Sequence, residues 1–341
     1  MGSKPVGLSA SRGAAVLGLS EYQTPFTVWQ RICEERRPGF NAERGYLLPE
    51  EPDNAAIRWG GAFEDAIIEL AQAGRLGCQI RDREGFYSID GAGTEGGEDR
   101  FITCHIDGRY DGGTLHEGKT TGLFNYWDNW GEPGSDRVPQ IYQVQVQHQC
   151  LCTGAREAIV SVLVFPRRPE EWEAEDWRCE LDAETGHWLL RNDRLPEIAE
   201  PITWARVLAE MGLFHQYPVA ASPSLQRLLV DAYSDFWHRY VLPEREPDLA
   251  SYEDVRRAFP QPVGTVVADE QLERWAREYR EIGEEISPRG RLGKRREELK
   301  VLILKSMRSS DRAFDDESRE RTVLRDRQGQ KLVQWNGKIF R

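Results

Sequence analysis

A glycine-rich hairpin pattern at residues 105–119, HIDGRYDGGTLHEGK, constrains the fold of this chain more than any other segment. Two short runs of extended character meet across a pair of glycines, which predicts neighbouring strands joined by a turn. Because side chains alternate along a strand, Glu117 and Lys119 are expected on one face, and Asp107 can join them from the neighbouring strand. Converging carboxylates suit a hard divalent cation. A lysine beside them can orient or deprotonate a water, or neutralise charge on a phosphate.

By itself this spacing is a weak signal, because charged residues are common on strands. A solvated hairpin face with ordinary charges is the alternative that the pattern leaves open. His105 and His116 flank the acids and are predicted to be structural, or peripheral to DNA, and not metal ligands.

Composition indicates a folded protein of 341 residues, since 39% are hydrophobic and eleven are tryptophan. No apolar run approaches the ~18 residues of a membrane helix. The N-terminal segment lacks a signal-peptide pattern, so a cytoplasmic protein is expected. The six cysteines are dispersed without a CxxC pair, which argues against a zinc ribbon or an iron–sulfur site and favours reduced thiols.

The formal net charge of -12 argues against a protein that coats nucleic acid non-specifically. It leaves room for a nucleic-acid enzyme, because a local basic surface and bound cations can meet phosphates. The candidates for such a surface are Arg289, Arg291, Lys294, Arg295 and Arg296. A solvated helix face with interspersed glutamates is the alternative interpretation of the same residues.

Hydrophobic periodicity predicts two early amphipathic helices. The first starts at Thr24, a capping hydroxyl followed by a first-turn proline, and the second covers residues 55–74. The residues expected to face the core are Phe26, Trp29 and Ile32 in the first helix, and Phe63, Ile67 and Leu70 in the second.

The remaining chain is predicted to alternate between strands and helices. Residues 78–119 are strand-like, and residues 139–153 fit either a strand by alternation or a helix by length. A buried strand is predicted over 157–165, an irregular stretch anchored by tryptophans over 166–224, helices over 224–242, 269–286 and 292–306, and a terminal hairpin turning at Gly329. This order indicates an α/β core with a mostly helical C-terminal part.

Four segments also carry a family resemblance: SASRGAAVLGLSEYQTPFTVWQ, GGAFED, IDGRY followed by EGK, and IYQVQVQHQCLCTG. In order and spacing they resemble the YqaJ-like viral recombinase, or lambda exonuclease-type, family of the PD-(D/E)xK nuclease superfamily. The resemblance covers residues 4–165 and touches 235–247. It implies a restriction-endonuclease-like fold with a central mixed sheet flanked by helices. A nuclease domain is expected over 1–250, and a helical extension with a hairpin over 251–341.

The resemblance implies roles for the hairpin residues. Asp107, Glu117 and the backbone carbonyl of Gly118 would be metal ligands, and Lys119 would be the catalytic lysine. Glu64 matches an acidic residue that approaches the same metal site and is a further candidate ligand. A solvated charge beside Asp65 is the alternative for Glu64.

The resemblance also assigns residues 139–153 to a glutamine-rich helix that lines the active site. Tyr142 and Gln145 match its start, and Gln149 would share their face. A polar helix face without a ligand is the alternative for these glutamines.

Ser11 matches a serine that receives a DNA 5′-phosphate, with Lys4 assisting where the family has an arginine. Lysine offers a point charge where arginine offers a bidentate clamp. A second phosphate-binding arginine of the family is replaced by Asn125. Capping of a helix over 12–18 is the alternative role for Ser11.

These features predict a Mg²⁺- or Mn²⁺-dependent deoxyribonuclease that acts on the ends of linear double-stranded DNA. The resemblance implies 5′-to-3′ degradation that leaves 3′ single-stranded tails for recombination, a single-strand annealing partner and a trimeric ring. It also implies that the cytoplasm is that of a bacterium or of a phage-infected host cell. The alternatives are a structure- or site-specific endonuclease on the same fold, and a non-catalytic module that binds DNA ends or a protein. No role follows for residues 265–341.

Overall fold

The computed structural model describes residues 6–49, 54–74, 78–89, 101–260, 265–284, 291–309 and 322–335. The chain divides into two compact units. The first combines Met1–Leu19 with Glu51–Asp235, and the second combines Ser20–Glu50 with Phe236–Arg341. Neither unit is continuous in sequence, so the expected domain boundary at residue 250 stays a prediction.

Helices and strands are numbered here in chain order. The helices are α1 (Ala10–Val16), α2 (Pro25–Arg36), α3 (Phe40–Glu43), α4 (Ala55–Ala73), α5 (Leu123–Asn129), α6 (Gln140–Thr153), α7 (Pro169–Ala174), α8 (Pro201–Glu210), α9 (Pro223–Phe236), α10 (Tyr252–Ala258), α11 (Glu270–Glu284) and α12 (Arg291–Ser309). The strands are β1 (Leu8–Ser9), β2 (Ile80–Arg81), β3 (Gly85–Ser88), β4 (Ile102–Ile106), β5 (Gly108–Tyr110), β6 (Leu115–Gly122), β7 (Glu157–Phe165), β8 (Trp177–Leu181), β9 (Trp188–Asn192), β10 (Leu195–Ala199), β11 (Phe214–Ala220), β12 (Thr265–Val267), β13 (Thr322–Arg325) and β14 (Lys331–Trp335).

The main sheet of the first unit has five strands in the order β11-β7-β6-β5-β2. Strands β6 and β7 are parallel, and the other neighbouring pairs are antiparallel. The buried strand predicted over 157–165 is confirmed as β7, which lies between β6 and β11. The predicted fold class, a mixed sheet with flanking helices, is therefore confirmed.

Helices α4 and α6 cover opposite faces of this sheet, because alternate residues of β7 belong to different clusters. Val160 packs in one cluster with Val146 of α6, and Leu163 packs in another with Trp59 and Phe63 of α4. This alternation is the burial pattern of a strand covered on both faces.

The boundaries of these two helices follow from local sequence. The Asn54 side chain caps α4 by accepting a hydrogen bond from Ile57 N at 3.0 Å, and Gly74 ends the helix. Helix α6 ends at Gly154, whose φ of 70° is the left-handed conformation that glycine adopts without strain. The helical interpretation of residues 139–153 is confirmed.

A second, three-stranded sheet has the order β1-β4-β3. Strand β4 ends at Ile106 and β5 begins at Gly108, so Asp107 alone separates strands that belong to different sheets. The pairing of β5 with β6 covers Gly108 with His116 and Arg109 with Leu115. Beyond His116 this pairing ends, because β4 diverges into the other sheet, where it pairs with β1 and β3; the unpaired edge of β6 beside Asp107 is called the gap below.

The prediction of an irregular stretch over 166–224 is wrong. This segment contains α7, α8, the antiparallel sheet β10-β9-β8, and the main-sheet strand β11. Pro218 interrupts the strand pattern of β11, and the structure accommodates this proline because β11 is an edge strand. The predicted tryptophan anchors do pack together around α4, namely Trp172, Trp177, Trp188 and Trp204.

In the second unit, α2 begins as predicted. Thr24 and Thr27 form a capping box, and Trp29 is fully buried. Thr24 Oγ1 also donates to Asp254 Oδ1 at 2.7 Å. The predicted helices α11 and α12 are present, and the terminal hairpin of β13 and β14 turns at Gly329 with φ of 84°.

Within the described residues, no helix is both long and apolar enough to span a membrane. All six cysteines are free thiols, as expected.

The contact between α1 and α9 provides a test of the packing. A Cβ on Gly13 would lie 2.1 Å from Tyr233 Oη, and Tyr233 is fully buried. We expect Gly13→Ala to lower the free energy of unfolding by about 1–3 kcal/mol, because the tyrosine cannot move aside in a close-packed core. Urea unfolding measures this change, and adding Tyr233→Phe should restore part of it.

Gly61→Ala is the matched control, because Gly61 lies in α4 and nothing stands within 4 Å of its added Cβ. Alanine has the higher helix propensity, so this variant should be about 1 kcal/mol more stable. Equal destabilisation by both glycine substitutions would contradict the packing of α1.

His148 makes fold stability depend on pH. Its Nε2 lies 3.0 Å from Thr103 O, and burial lowers the pKa of His148 to about 4. The unfolded chain binds this proton near pH 6.5, so stability is lost as pH falls from about 6.5 towards 4. We expect this histidine to remove about 2 kcal/mol between pH 7 and pH 5.

Urea unfolding at both pH values should show a smaller loss for His148→Gln than for the wild type. His187→Gln, at an exposed histidine, serves as the control and should keep the wild-type difference. If His148→Gln loses as much stability between pH 7 and pH 5 as the wild type, His148 is not the cause of the pH dependence.

Candidate active site

Asp107, Glu117 and Lys119 lie together where β4 diverges from β6. Asp107 Oδ2 accepts a hydrogen bond from Gly118 N at 2.7 Å, and Lys119 Nζ donates to Glu117 Oε1. Three residues that the sequence predicted from a hairpin pattern are thus one contiguous polar group in the structure.

Gly118 packs between Ile67 of α4 and the Asp107 carboxylate. A Cβ at this position would lie 3.3 Å from Ile67 Cγ2 and 3.6 Å from Asp107 Oδ2. Gly118 pairs with Ser161 of the parallel strand β7, and the role of its carbonyl as a metal ligand stays a prediction.

One face of α6 supplies side chains to Glu117 and Lys119. Gln145 Nε2 donates to Glu117 Oε1 at 2.5 Å, and Gln149 Nε2 donates to Glu117 Oε2 at 2.6 Å. The Tyr142 ring centroid lies 5.2 Å from Lys119 Nζ, within cation–π range.

Gln149 is the site residue to which the sequence pattern assigned no role. Its signal was its spacing of four residues from Gln145, which places both side chains on one helix face. A helix face, however, does not reveal which of its polar residues reaches the neighbouring strand.

Burial shapes the electrostatics of the group. Glu117 is 1% exposed, and burial together with Asp107 raises its pKa to about 6, against the opposing effect of Lys119. Burial also raises the pKa of Asp107, although Lys119 and the Gly118 N–H oppose the shift. Burial lowers the pKa of Lys119, but Glu117 and Asp107 outweigh it and raise the net pKa, so Lys119 is an ammonium at neutral pH.

The carboxylates of Asp107 and Glu117 fit a hard divalent cation. Each raises the cost of ionising the other, and a bound cation would relieve that repulsion. Among the described residues, no three histidine, cysteine or acidic side chains converge closely enough to hold a metal ion. Mg²⁺ commonly takes one or two carboxylates and keeps several waters, so two carboxylates and the Gly118 carbonyl are a suitable donor set.

Glu64 lies on α4 and is half-buried. Burial raises the pKa of Glu64, with Asp65 adding to the shift, and the Glu64 charge in turn raises the pKa of Asp107. Glu64 therefore acts on the carboxylate pair through its charge, and its role as a ligand stays a prediction.

Ser11 is exposed in the first turn of α1, and its Oγ lies 3.2 Å from Ser9 Oγ. The alternative that Ser11 caps a helix over 12–18 is wrong, because α1 begins at Ala10 with Ser9 as the N-cap residue. Lys4, the predicted partner of Ser11 at a 5′-phosphate, lies outside the described residues. Asn125 donates to Thr121 Oγ1 at 2.7 Å, which holds it against the end of β6.

The remaining candidates lie apart from this group. His116 is buried 3.2 Å from Ser161 Oγ on the other face of β6, and His105 is exposed with its ring against Phe86. In the predicted basic segment, Arg295 pairs with Glu278, which agrees with the solvated-helix alternative. Arg289 and the side chain of Arg291 lie outside the described residues.

Comparison with known proteins identifies the first part of the chain. Residues 2–156 match the family model of the YqaJ-like viral recombinase domain. Over these residues, the chain is similar to that domain family. The matched range includes Glu64, the hairpin of Asp107 and Glu117, and all of α6.

The chain is also similar to a curated protein and to solved structures. "Uncharacterized protein YqaJ" of Bacillus subtilis (strain 168) is 26% identical over 161 residues, which are 46% of this chain and 43% of that protein's length. An alkaline exonuclease (LHK-Exo) from Laribacter hongkongensis has a TM-score of 0.43 at 15% identity, covering 70% of this chain and 90% of that one. A phage related exonuclease from Haemophilus somnus 129PT has a TM-score of 0.39 at 12% identity, covering 71% and 97%.

The electrostatics of Asp107 and Glu117 predict a trade-off between stability and metal binding. Asp107→Asn removes one of two repelling buried charges while an amide oxygen can still accept from Gly118 N. In EDTA we expect this variant to be about 1 kcal/mol more stable than the wild type. In Mn²⁺ it should gain less stability than the wild type, as measured by thermal unfolding at increasing Mn²⁺ concentration.

Asp111→Asn is the matched control on the same hairpin. Asp111 is exposed and pairs with Arg81 Nε at 2.9 Å, so its loss should leave the response to Mn²⁺ unchanged. A wild-type Mn²⁺ response in Asp107→Asn would contradict the assignment of Asp107.

Proposed function

We propose that this chain is a metal-dependent DNA exonuclease of the phage recombination type. The observation that carries the proposal is the buried pair of Asp107 and Glu117 with the Lys119 ammonium beside it. Two carboxylates and one ammonium suit phosphodiester hydrolysis, where positioning and electrostatic stabilisation dominate. The YqaJ-like domain over residues 2–156 supports the proposal independently of this geometry.

Each residue then has a distinct task. Asp107, Glu117 and the Gly118 carbonyl would hold Mg²⁺ or Mn²⁺, which when bound supplies Lewis-acid stabilisation of charge on the phosphate. Lys119, held as an ammonium, would bind a phosphate oxygen and stabilise the charge that develops on it. Gln145 fixes the Glu117 carboxylate, and the Tyr142 ring restricts the position of the ammonium.

The direction of digestion is the finer part of the proposal. Degradation from the 5′ end would leave 3′ single-stranded tails for recombination and for a single-strand annealing partner. Ser11 and Lys4 would hold the 5′-phosphate of a duplex end, and a trimeric ring would keep the DNA bound between cuts. Asn125 offers no positive charge where the family resemblance expects arginine, so selectivity for a 5′-phosphate should be weak.

The test compares linear 5′-phosphorylated duplex with covalently closed circular DNA, in Mg²⁺, Mn²⁺ or EDTA. We expect digestion of the linear substrate alone, and only with metal. Lys119→Ala should reduce the rate by about 100-fold or more, because a transition-state charge loses its partner. Lys331→Ala, at an exposed lysine on β14, should keep the wild-type rate.

Three outcomes would overturn parts of the proposal. Equal cutting of closed circles would establish an endonuclease instead. Binding of duplex ends without metal-dependent hydrolysis would establish a non-catalytic module. Full activity in Lys119→Ala would contradict the assigned site but not the proposal that the chain hydrolyses DNA.

A further inference from the structure

We propose that Gln149 is a positioning residue that sets the spacing between the two candidate metal-binding carboxylates. The inference rests on the proposed metal site and concerns how the protein holds that site together. One amide nitrogen, Gln149 Nε2, links Glu117 on β6 to the backbone that carries Asp107.

The tie is visible in two hydrogen bonds from a single atom. Gln149 Nε2 donates to Glu117 Oε2 at 2.6 Å and to His105 O at 3.2 Å. His105 belongs to β4 and stands two residues before Asp107. The amide therefore spans the gap between the diverging strands, where no ladder of backbone hydrogen bonds fixes their separation.

Gln145 does not perform this task, although it contacts the same carboxylate. It donates to Glu117 Oε1, the oxygen that also accepts from Lys119. Gln149 binds the other oxygen, Oε2, so the two glutamines together fix the carboxylate plane. Of these two contacts, the one from Gln149 is shared with β4.

The environment of Gln149 favours a functional role over a structural one. The residue is 1% exposed, and its Oε1 has no hydrogen-bond partner among the described residues. A buried acceptor without a donor costs stability. Rotating the amide would place Oε1 against the Glu117 carboxylate, where neither oxygen can donate. The residue thus keeps its Nε2 contacts at the expense of Oε1.

Gln147 provides the contrast on the same helix. It is fully buried, its Nε2 donates to Ala220 O at 2.7 Å, and its Oε1 accepts from Ser222 N at 2.7 Å. Both amide atoms are satisfied by backbone, away from Glu117. Gln147 is therefore a glutamine with a structural role and a matched control.

The test measures Mn²⁺ binding by the full chain without DNA, using isothermal titration calorimetry and the Mn²⁺ electron paramagnetic resonance signal. We expect Gln149→Met to raise the Kd for Mn²⁺ about tenfold or more, since groups that orient a metal ligand affect affinity on this scale. Gln147→Met should lower the melting temperature in EDTA but keep the Kd within about twofold of the wild type. A merely structural role for Gln149 would give the behaviour of Gln147→Met.

Gln149→Asn keeps an amide but shortens the side chain by one methylene, so it cannot reach both partners and should also weaken binding. Gln149→Asn is therefore the variant to measure if Gln149→Met does not fold. An unchanged Kd in a folded Gln149 variant, with binding still lost in Asp107→Asn, would overturn this inference alone. Absence of Mn²⁺ binding by the wild type would overturn the metal site and this inference together.

Discussion

The candidate site depends on one covalent constraint: a single residue joins two strands that belong to different sheets. Strand β4 pairs with β1 and β3, and β5 pairs with β6 and β2, so the chain must change sheets at Asp107. The backbone pairing of β6 with β5 ends at His116. Beyond it, Gly118 N donates to the Asp107 side chain instead of to a backbone carbonyl of that strand. The fold thus brings a carboxylate beside Glu117 without any long-range motif having to encode the contact.

Holding two carboxylates in this gap is electrostatically expensive, and the surrounding residues offset only part of the cost. Lys119, Gln145 and Gln149 all donate to Glu117, yet its pKa remains raised to about 6 because burial and Asp107 outweigh them. A chain selected for stability alone would gain from removing one of these charges. Their retention is the pattern expected of a site whose missing positive charge arrives with a ligand.

Much of this site could be predicted from sequence because strand alternation has a fixed period. Glu117 and Lys119 share a face for that reason alone. Helix α6 was harder to predict, because its polar and apolar faces are both buried. Gln149 is buried in the candidate site, and Val146 is buried in the core. The length of the segment allowed a helix, and the family resemblance decided for it. Strand β11 was not predicted, and it contains Pro218. A proline is tolerated in a strand at the edge of a sheet, and the sequence does not show which strand lies at the edge.

Under the proposed function, the same electrostatics would link metal and substrate in a chain of net charge -12. A phosphate that approaches Asp107 and Glu117 meets two carboxylates, and Lys119 is already engaged by Glu117. A divalent cation held by these carboxylates would reverse the sign of the local charge, so it would favour phosphate binding as well as the proposed hydrolysis. By linkage, phosphate then favours cation binding to the same degree. The glutamines of α6 matter to both equilibria, because they fix the carboxylate that the cation and the lysine share.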